Sequence, residues 1–146
     1  MALAPLFLYG LAACSLAVSS GAEIEGQHHL KPCPQSPNCV SSLDPEGKHF
    51  IAPLRYTGTT QAALLALVSI IEAEPRARIV GRQENYLHAE FKSRIFGFVD
   101  DVEFFFSSDQ PMIQVRSASR KGYYDFGANR KRIEGLRRAL TERLNP

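Results

Sequence analysis

Tyr86-Leu87-His88-Ala89-Glu90-Phe91-Lys92-Ser93 sets Leu87, Ala89 and Phe91 at every second position, with His88, Glu90 and Lys92 between them. A period of two belongs to a β-strand with one buried and one wetted face. Asp101 to Phe106 repeats it, with Val102, Phe104 and Phe106 on one side. After a turn at Asp109-Gln110-Pro111, Met112 to Ser119 brings Ile113 and Val115 inward. Links this short join antiparallel neighbours, because parallel strands need a long crossover. The three segments therefore predict an antiparallel meander whose apolar face the rest of the chain must cover.

Upstream, Arg78 to Gly81 reads as a short strand, and His49 to Tyr56 alternates loosely enough to be another. Between them Thr57-Gly58-Thr59-Thr60 forms a turn with a helix N-cap candidate. Ala62 to Ile71 is apolar on nearly every face, as in a helix that is buried or laid across a sheet, and Pro75 ends it. Downstream, a second helix is expected from Asp125, a good N-cap, to about Leu144. Phe126, Ile133, Leu136, Leu140 and Leu144 form its apolar stripe, Lys131 and Arg138 fall opposite, and Arg130, Arg132, Arg137 and Arg143 flank it. The order βαββββα implies an α+β fold: an antiparallel sheet of about five strands with two helices packed on one face.

With 146 residues the chain suits one domain and one core. Its 45% hydrophobic and 22% charged residues place it among globular rather than disordered chains. The formal charge of +2 conceals an asymmetry, since nine Lys/Arg and three Asp/Glu lie from Arg116 onward. That balance is either a basic face for an anionic partner or a solvated helix surface. No nucleic-acid-binding motif accompanies it, so no nucleic-acid partner is expected.

Leu3 to Val18 is mostly apolar, uncharged and short for a membrane span. It reads as the core of an export signal within residues 1–22, ahead of a single domain over 23–146 with a short N-terminal tether. Leu11-Ala12-Ala13-Cys14 resembles a lipobox, in which Cys14 becomes the lipidated first residue. Cleavage after Ser20-Gly21-Ala22 is the rival. Export permits disulfides, and the chain has three cysteines. Joining Cys33 to Cys39 and lipidating Cys14 uses all three, and leaves Ser15 to about Gln35 as a polar tether. In Cys33-Pro34-Gln35-Ser36-Pro37-Asn38-Cys39 two prolines stiffen the loop and Asn38 suits a turn. A metal site with His28 and His29 is the other reading, but the C-x5-C spacing matches neither zinc ribbons nor redox dithiols. No metal or cofactor is expected. The expected location is extracytoplasmic, in the periplasm or cell envelope, held to the membrane by a lipid anchor.

Three motifs in order resemble a known family. They are Cys33-Pro34-Gln35-Ser36-Pro37-Asn38-Cys39-Val40-Ser41-Ser42; Phe98-Val99-Asp100-Asp101-Val102-Glu103-Phe104; and Val115-Arg116-Ser117-Ala118-Ser119-Arg120 with Gly122, Asp125, Gly127, Asn129-Arg130 and Arg132-Ile133-Glu134. Their order and spacing are similar to those of the bacterial and plastid family called domain of unknown function 1499, from about Leu30 to Leu144. The resemblance implies a fold and a compartment but no activity.

The densest polar cluster is Asp100, Asp101, Arg116, Ser117, Ser119, Arg120, Asp125, Asn129 and Arg130. A strand running through a Gly-bearing turn into a helix N-terminus, with guanidinium groups nearby, can hold an anion. The competing reading is an internal network in which Asp100 or Asp101 pairs with Arg116 or Arg120 and Asp125 caps the helix. Adjacent residues on a strand face opposite ways, so Asp100 and Asp101 cannot readily share a ligand. Two functions follow. One is a non-enzymatic envelope module, binding or structural, for an anionic small molecule or envelope component at the Arg116–Arg130 corner. The other is a small extracytoplasmic hydrolase or transferase using Asp101 and Arg116. No G-x-S-x-G elbow, H-E-x-x-H, Walker loop or Rossmann glycine pattern supports the second.

Overall fold

The computed structural model describes residues 30–145. There the chain forms one six-stranded antiparallel sheet and two helices. The elements are β1 (Cys39–Ser41), β2 (Leu54–Arg55), α1 (Thr60–Glu72), β3 (Ala77–Arg82), β4 (Tyr86–Lys92), β5 (Val99–Phe106), β6 (Met112–Ser119) and α2 (Ala128–Leu144). The strands lie in the order β1-β6-β5-β4-β3, and β2 pairs with β6 beside β1, so two short strands share one edge. The meander read from the alternating segments is present, with β4, β5 and β6 in continuous register.

One face of that meander carries the core. Leu87 and Ala89 of β4, Val102, Phe104 and Phe106 of β5, and Ile113 and Val115 of β6 are all nearly inaccessible. Helix α1 lies against β3, α2 lies against β6 and β1, and the two helices touch. Their buried residues, Ala63, Leu64, Leu67 and Ile71 on α1 and Ile133, Leu136 and Leu140 on α2, complete a single cluster. Phe104 and Phe106 are among its largest members, and fully burying one such side chain contributes roughly 2–3 kcal/mol.

The structure corrects the expected elements in three places. The strand expected over His49 to Tyr56 contracts to Leu54–Arg55, because the backbone before it has other partners. Ile51 donates to the Ser41 carbonyl, and the carbonyls of Ala52 and Pro53 accept from Arg137. Cys39–Ser41 forms a strand too short to show a period, raising the strand count to six. Helix α2 starts at Ala128 rather than at Asp125, because Phe126 and Gly127 both take positive φ, at 54° and 75°. Phe126 consequently leaves the expected apolar stripe and is 88% exposed. Leu30 is already buried, within the Ser15 to Gln35 stretch expected as a tether, most of which lies outside the described residues. Cys14, the proposed signal over residues 1–22, His28 and His29 lie outside the described residues.

Candidate functional site

The strand pleat divides the nine residues of the polar cluster. Asp100, Ser117, Ser119, Asp125 and Asn129 lie on the helix side of the sheet, Asp101, Arg116 and Arg120 on the open side, and Arg130 over the N-terminal loop. Asp100 and Asp101 do point apart, as their adjacency on β5 requires.

On the helix side Asn129 is the centre. Its Nδ2 donates to the Asn38 carbonyl at 2.9 Å, to Ser119 Oγ at 3.0 Å and to Asp125 Oδ2 at 2.8 Å. Its Oδ1 accepts from Ser117 Oγ at 2.6 Å and from Arg132 at 2.8 Å. Arg132 continues to Asp100 at 2.5 Å, and its guanidinium lies 5.0 Å above the centre of the Phe91 ring. Asp125 accepts from the backbone N–H groups of Gly127 and Asn129, so it caps α2 across a left-handed corner. Every polar group of this set has a partner inside the fold, which is what burial demands.

The open side is an ion-pair lattice. Arg120 binds Asp101 at 2.7 Å and Glu90 at 2.5 Å. Glu90 also binds Arg78, and Asp101 also binds His88 at 2.8 Å. Arg116 pairs instead with Glu103, which accepts from the Tyr86 hydroxyl. Burial would raise the Asp101 carboxyl, but hydrogen bonds from Arg120 and His88 outweigh it and hold the group below its ordinary range. Arg78 and then Arg120 lower Glu90 in the same way. Burial and the Glu103 carboxylate push the Tyr86 hydroxyl above its ordinary value. A carboxylate held ionised is the opposite of a general acid, and Asp101 and Arg116 each engage a different partner. The hydrolase or transferase reading therefore gains no support from this geometry.

Arginines of α2 also fasten the N-terminal segment. Arg130 donates to the carbonyls of Lys48 and Phe50, and Arg137 to those of Ala52 and Pro53. Cys33 and Cys39 form a disulfide directly before β1. His49 donates through Nδ1 to the Cys39 carbonyl at 3.0 Å. Cys33, Asp44 and His49 bring ligand-type atoms within 4.8 Å of one another, but the bonded sulfur leaves only a carboxylate and an imidazole. Beside Arg130 there is a hollow of about 150 Å³.

A larger opening lies elsewhere. A groove of about 490 Å³ runs between the end of α1 and the start of α2. Ile70, Phe91, Leu136 and Ala139 give it an apolar floor, and Arg76, Lys92, Arg94, Lys131 and Arg132 give it five cations against the carboxylates of Glu74 and Asp100. Asp100 and Arg132 neutralise each other at its base. Arg76, Lys92, Arg94 and Lys131 have no ion-pair partner among the described residues. Gly135 adds no side chain to the wall.

Four of these cations escaped the sequence reading because no spacing links them. They come from the turn after α1, the β4–β5 hairpin and the first turn of α2, and only packing assembles them. One signal was present. The meander places the hairpin after Ser93 beside the strand–helix corner, and Lys131 was already read as lying opposite the apolar stripe. Among known proteins, the family model described as protein of unknown function (DUF1499) matches residues 29–140. No curated protein matches the chain.

Proposed function

The chain belongs to the DUF1499 family, proteins of unknown function, and from that premise we propose a non-enzymatic envelope module that binds an anionic ligand in the groove between α1 and α2. The observation that carries this reading is the set of cations without ion-pair partners among the described residues, Arg76, Lys92, Arg94 and Lys131, around an apolar floor. The Arg116–Arg130 corner is the weaker location, since its guanidinium groups are engaged by Glu103, Asp101, Glu90 and backbone carbonyls. Cations over apolar lining suit a phosphate or carboxylate attached to a hydrocarbon portion. Dodecyl phosphate titrated against the labelled protein should shift backbone amide signals of Phe91 to Arg94 and of the first three turns of α2. Inorganic phosphate should shift the same signals less. Shifts centred on Arg116 to Arg120 would return the site to the corner, and no shifts would remove the binding reading.

Export and lipid anchoring belong to the same proposal. The Leu11-Ala12-Ala13-Cys14 run supports them, and so does a bonded Cys33–Cys39 pair, which persists in an oxidising compartment. The anchor would hold the module to the periplasmic face of a membrane. Intact mass of the protein from the membrane fraction should show acyl chains on Cys14. An unmodified chain beginning at Glu23 would contradict the anchor.

A further inference from the structure

We propose that the pole of the domain formed by the β4–β5 hairpin and the β6–α2 loop rests on the surface of an anionic lipid bilayer. This goes beyond ligand binding in the groove and does not depend on it. The two loops share one end of the sheet, because Asp100 pairs with Ser119 and the Arg120 N–H donates to the Val99 carbonyl. Of the nine large hydrophobic residues that are exposed among those described, six lie in these loops: Ile95, Phe96, Phe98, Tyr123, Tyr124 and Phe126. Phe96 is 73% exposed and Phe126 88%. Among the described residues Phe96 stacks on Phe98 and Tyr123 meets Tyr124 edge to face, and none of the four belongs to the core cluster. Phe126 also holds a positive φ, which a bulky residue adopts at a cost, while its ring contributes nothing to the core.

Solvent does not account for six such rings and chains at one pole. Contiguous exposed apolar surface marks a contact with something else. Two features choose a membrane over a protein partner. Lys92, Arg94 and Lys121 stand in or beside the loops without ion-pair partners among the described residues, and mixed aromatic and basic side chains are the composition of an interfacial membrane contact. The second is where the chain enters. Cys39 pairs with Ala118 and Asn38 donates to the Gly122 carbonyl, so the disulfide loop sits at this same pole. The uncharged apolar run Leu3 to Val18 lies upstream of it. The opposite pole is polar, with Gln83-Glu84-Asn85 and Ser107-Ser108-Asp109-Gln110 in its turns.

The chain has no Trp, so a single introduced one reports its own surroundings. Phe96→Trp, Tyr124→Trp and, as the opposite-pole control, Ser108→Trp would be made in the full chain and mixed with vesicles of phosphatidylglycerol and phosphatidylcholine carrying acyl-chain bromines. Far-ultraviolet circular dichroism checks each fold, and all three share the same N-terminal segment, so differences report the pole and not the anchor. The expected result is emission at Phe96→Trp and Tyr124→Trp quenched at least twofold more than at Ser108→Trp. Equal quenching at both poles would overturn the proposal. Emission that is shifted to the blue but not quenched would place the loops against protein and overturn it too. Equal quenching of Phe96→Trp in vesicles of phosphatidylcholine alone would overturn the anionic assignment. None of these results bears on dodecyl phosphate in the groove.

Discussion

Asp100 and Asp101 are neighbours in the chain, and the sheet separates them completely. Asp100 is buried against Arg132, and Asp101 faces outward to Arg120 and His88. Strand alternation alone foretold the separation. It did not reveal the partners, because Arg132 was read as lying on the flank of its helix and becomes half-buried only when α2 packs on β6. Arg132→Leu should leave a buried carboxylate unpaired and cost roughly 3–5 kcal/mol in urea unfolding. Asp100→Leu combined with Arg132→Leu should regain most of that loss. A single variant as stable as the parent would contradict this account of the network. Asp101 makes a prediction about pH. Its folded-state carboxyl lies below the ordinary value of 3.8, so the stability it contributes is present above that value and is lost as pH falls through the lowered one. Glu90, ordinarily 4.5, acts in the same direction. Asp101→Asn should therefore be less stable than the parent at neutral pH, and the two should converge in acid when unfolding is followed across pH.

At the scale of elements, the long alternating strands were legible and the short ones were not. Met112 to Ser119 appears as the strand its pattern predicted. Cys39–Ser41 is held as a strand by its register with Arg116 to Ala118, which no local pattern encodes. The start of α2 was misplaced because Asp125 looks like an adjacent cap, whereas its carboxylate reaches past two residues of positive φ to the Asn129 N–H. The segment from Lys48 to Pro53 is held by guanidinium groups on carbonyls and by an isolated bridge to Ser41, not by a continuous ladder. Arg137→Ala should speed hydrogen exchange through this edge of the sheet, at Ile51 and Leu54, while β4 and β5 keep their protection. The Cys33–Cys39 loop is the other fastening. Closing so short a loop contributes about 2 kcal/mol by restricting the unfolded chain, so Cys39→Ser with Cys33→Ser should lower the urea midpoint by about 1 M. An unchanged midpoint would show that the bridge clamps nothing.

Across the whole molecule, the charge asymmetry read from the sequence is taken up largely inside the fold. Most of the arginines from Arg116 onward have partners inside the fold: Arg116, Arg120, Arg132 and Arg137 with carboxylates, Arg130 with carbonyls, and Arg143 with Ser69. The basic C-terminal region is thus largely a means of fastening α2 to the sheet and to the N-terminal segment. Of the cations left over, Arg76, Lys92, Arg94, Lys121 and Lys131 gather around the groove and beside the exposed aromatic loops, while Arg55 and Arg82 stand toward the other pole, and the gathered ones come from segments far apart in sequence. That gathering was invisible before folding because it depends on the end of α1, the β4–β5 hairpin and the start of α2 coming together.

Arginines that build the fold are distinct from the cations proposed to meet a ligand, and one comparison tests that division. Dodecyl phosphate affinity should be measured by calorimetry for Arg94→Glu with Lys131→Glu, and for Arg120→Glu with Arg130→Glu, alongside urea unfolding of both. The first pair should reduce affinity at least tenfold with stability nearly unchanged, and the second should lose stability while the folded fraction still binds. Binding that survives the first pair and disappears with the second would contradict the account and restore the corner as the site.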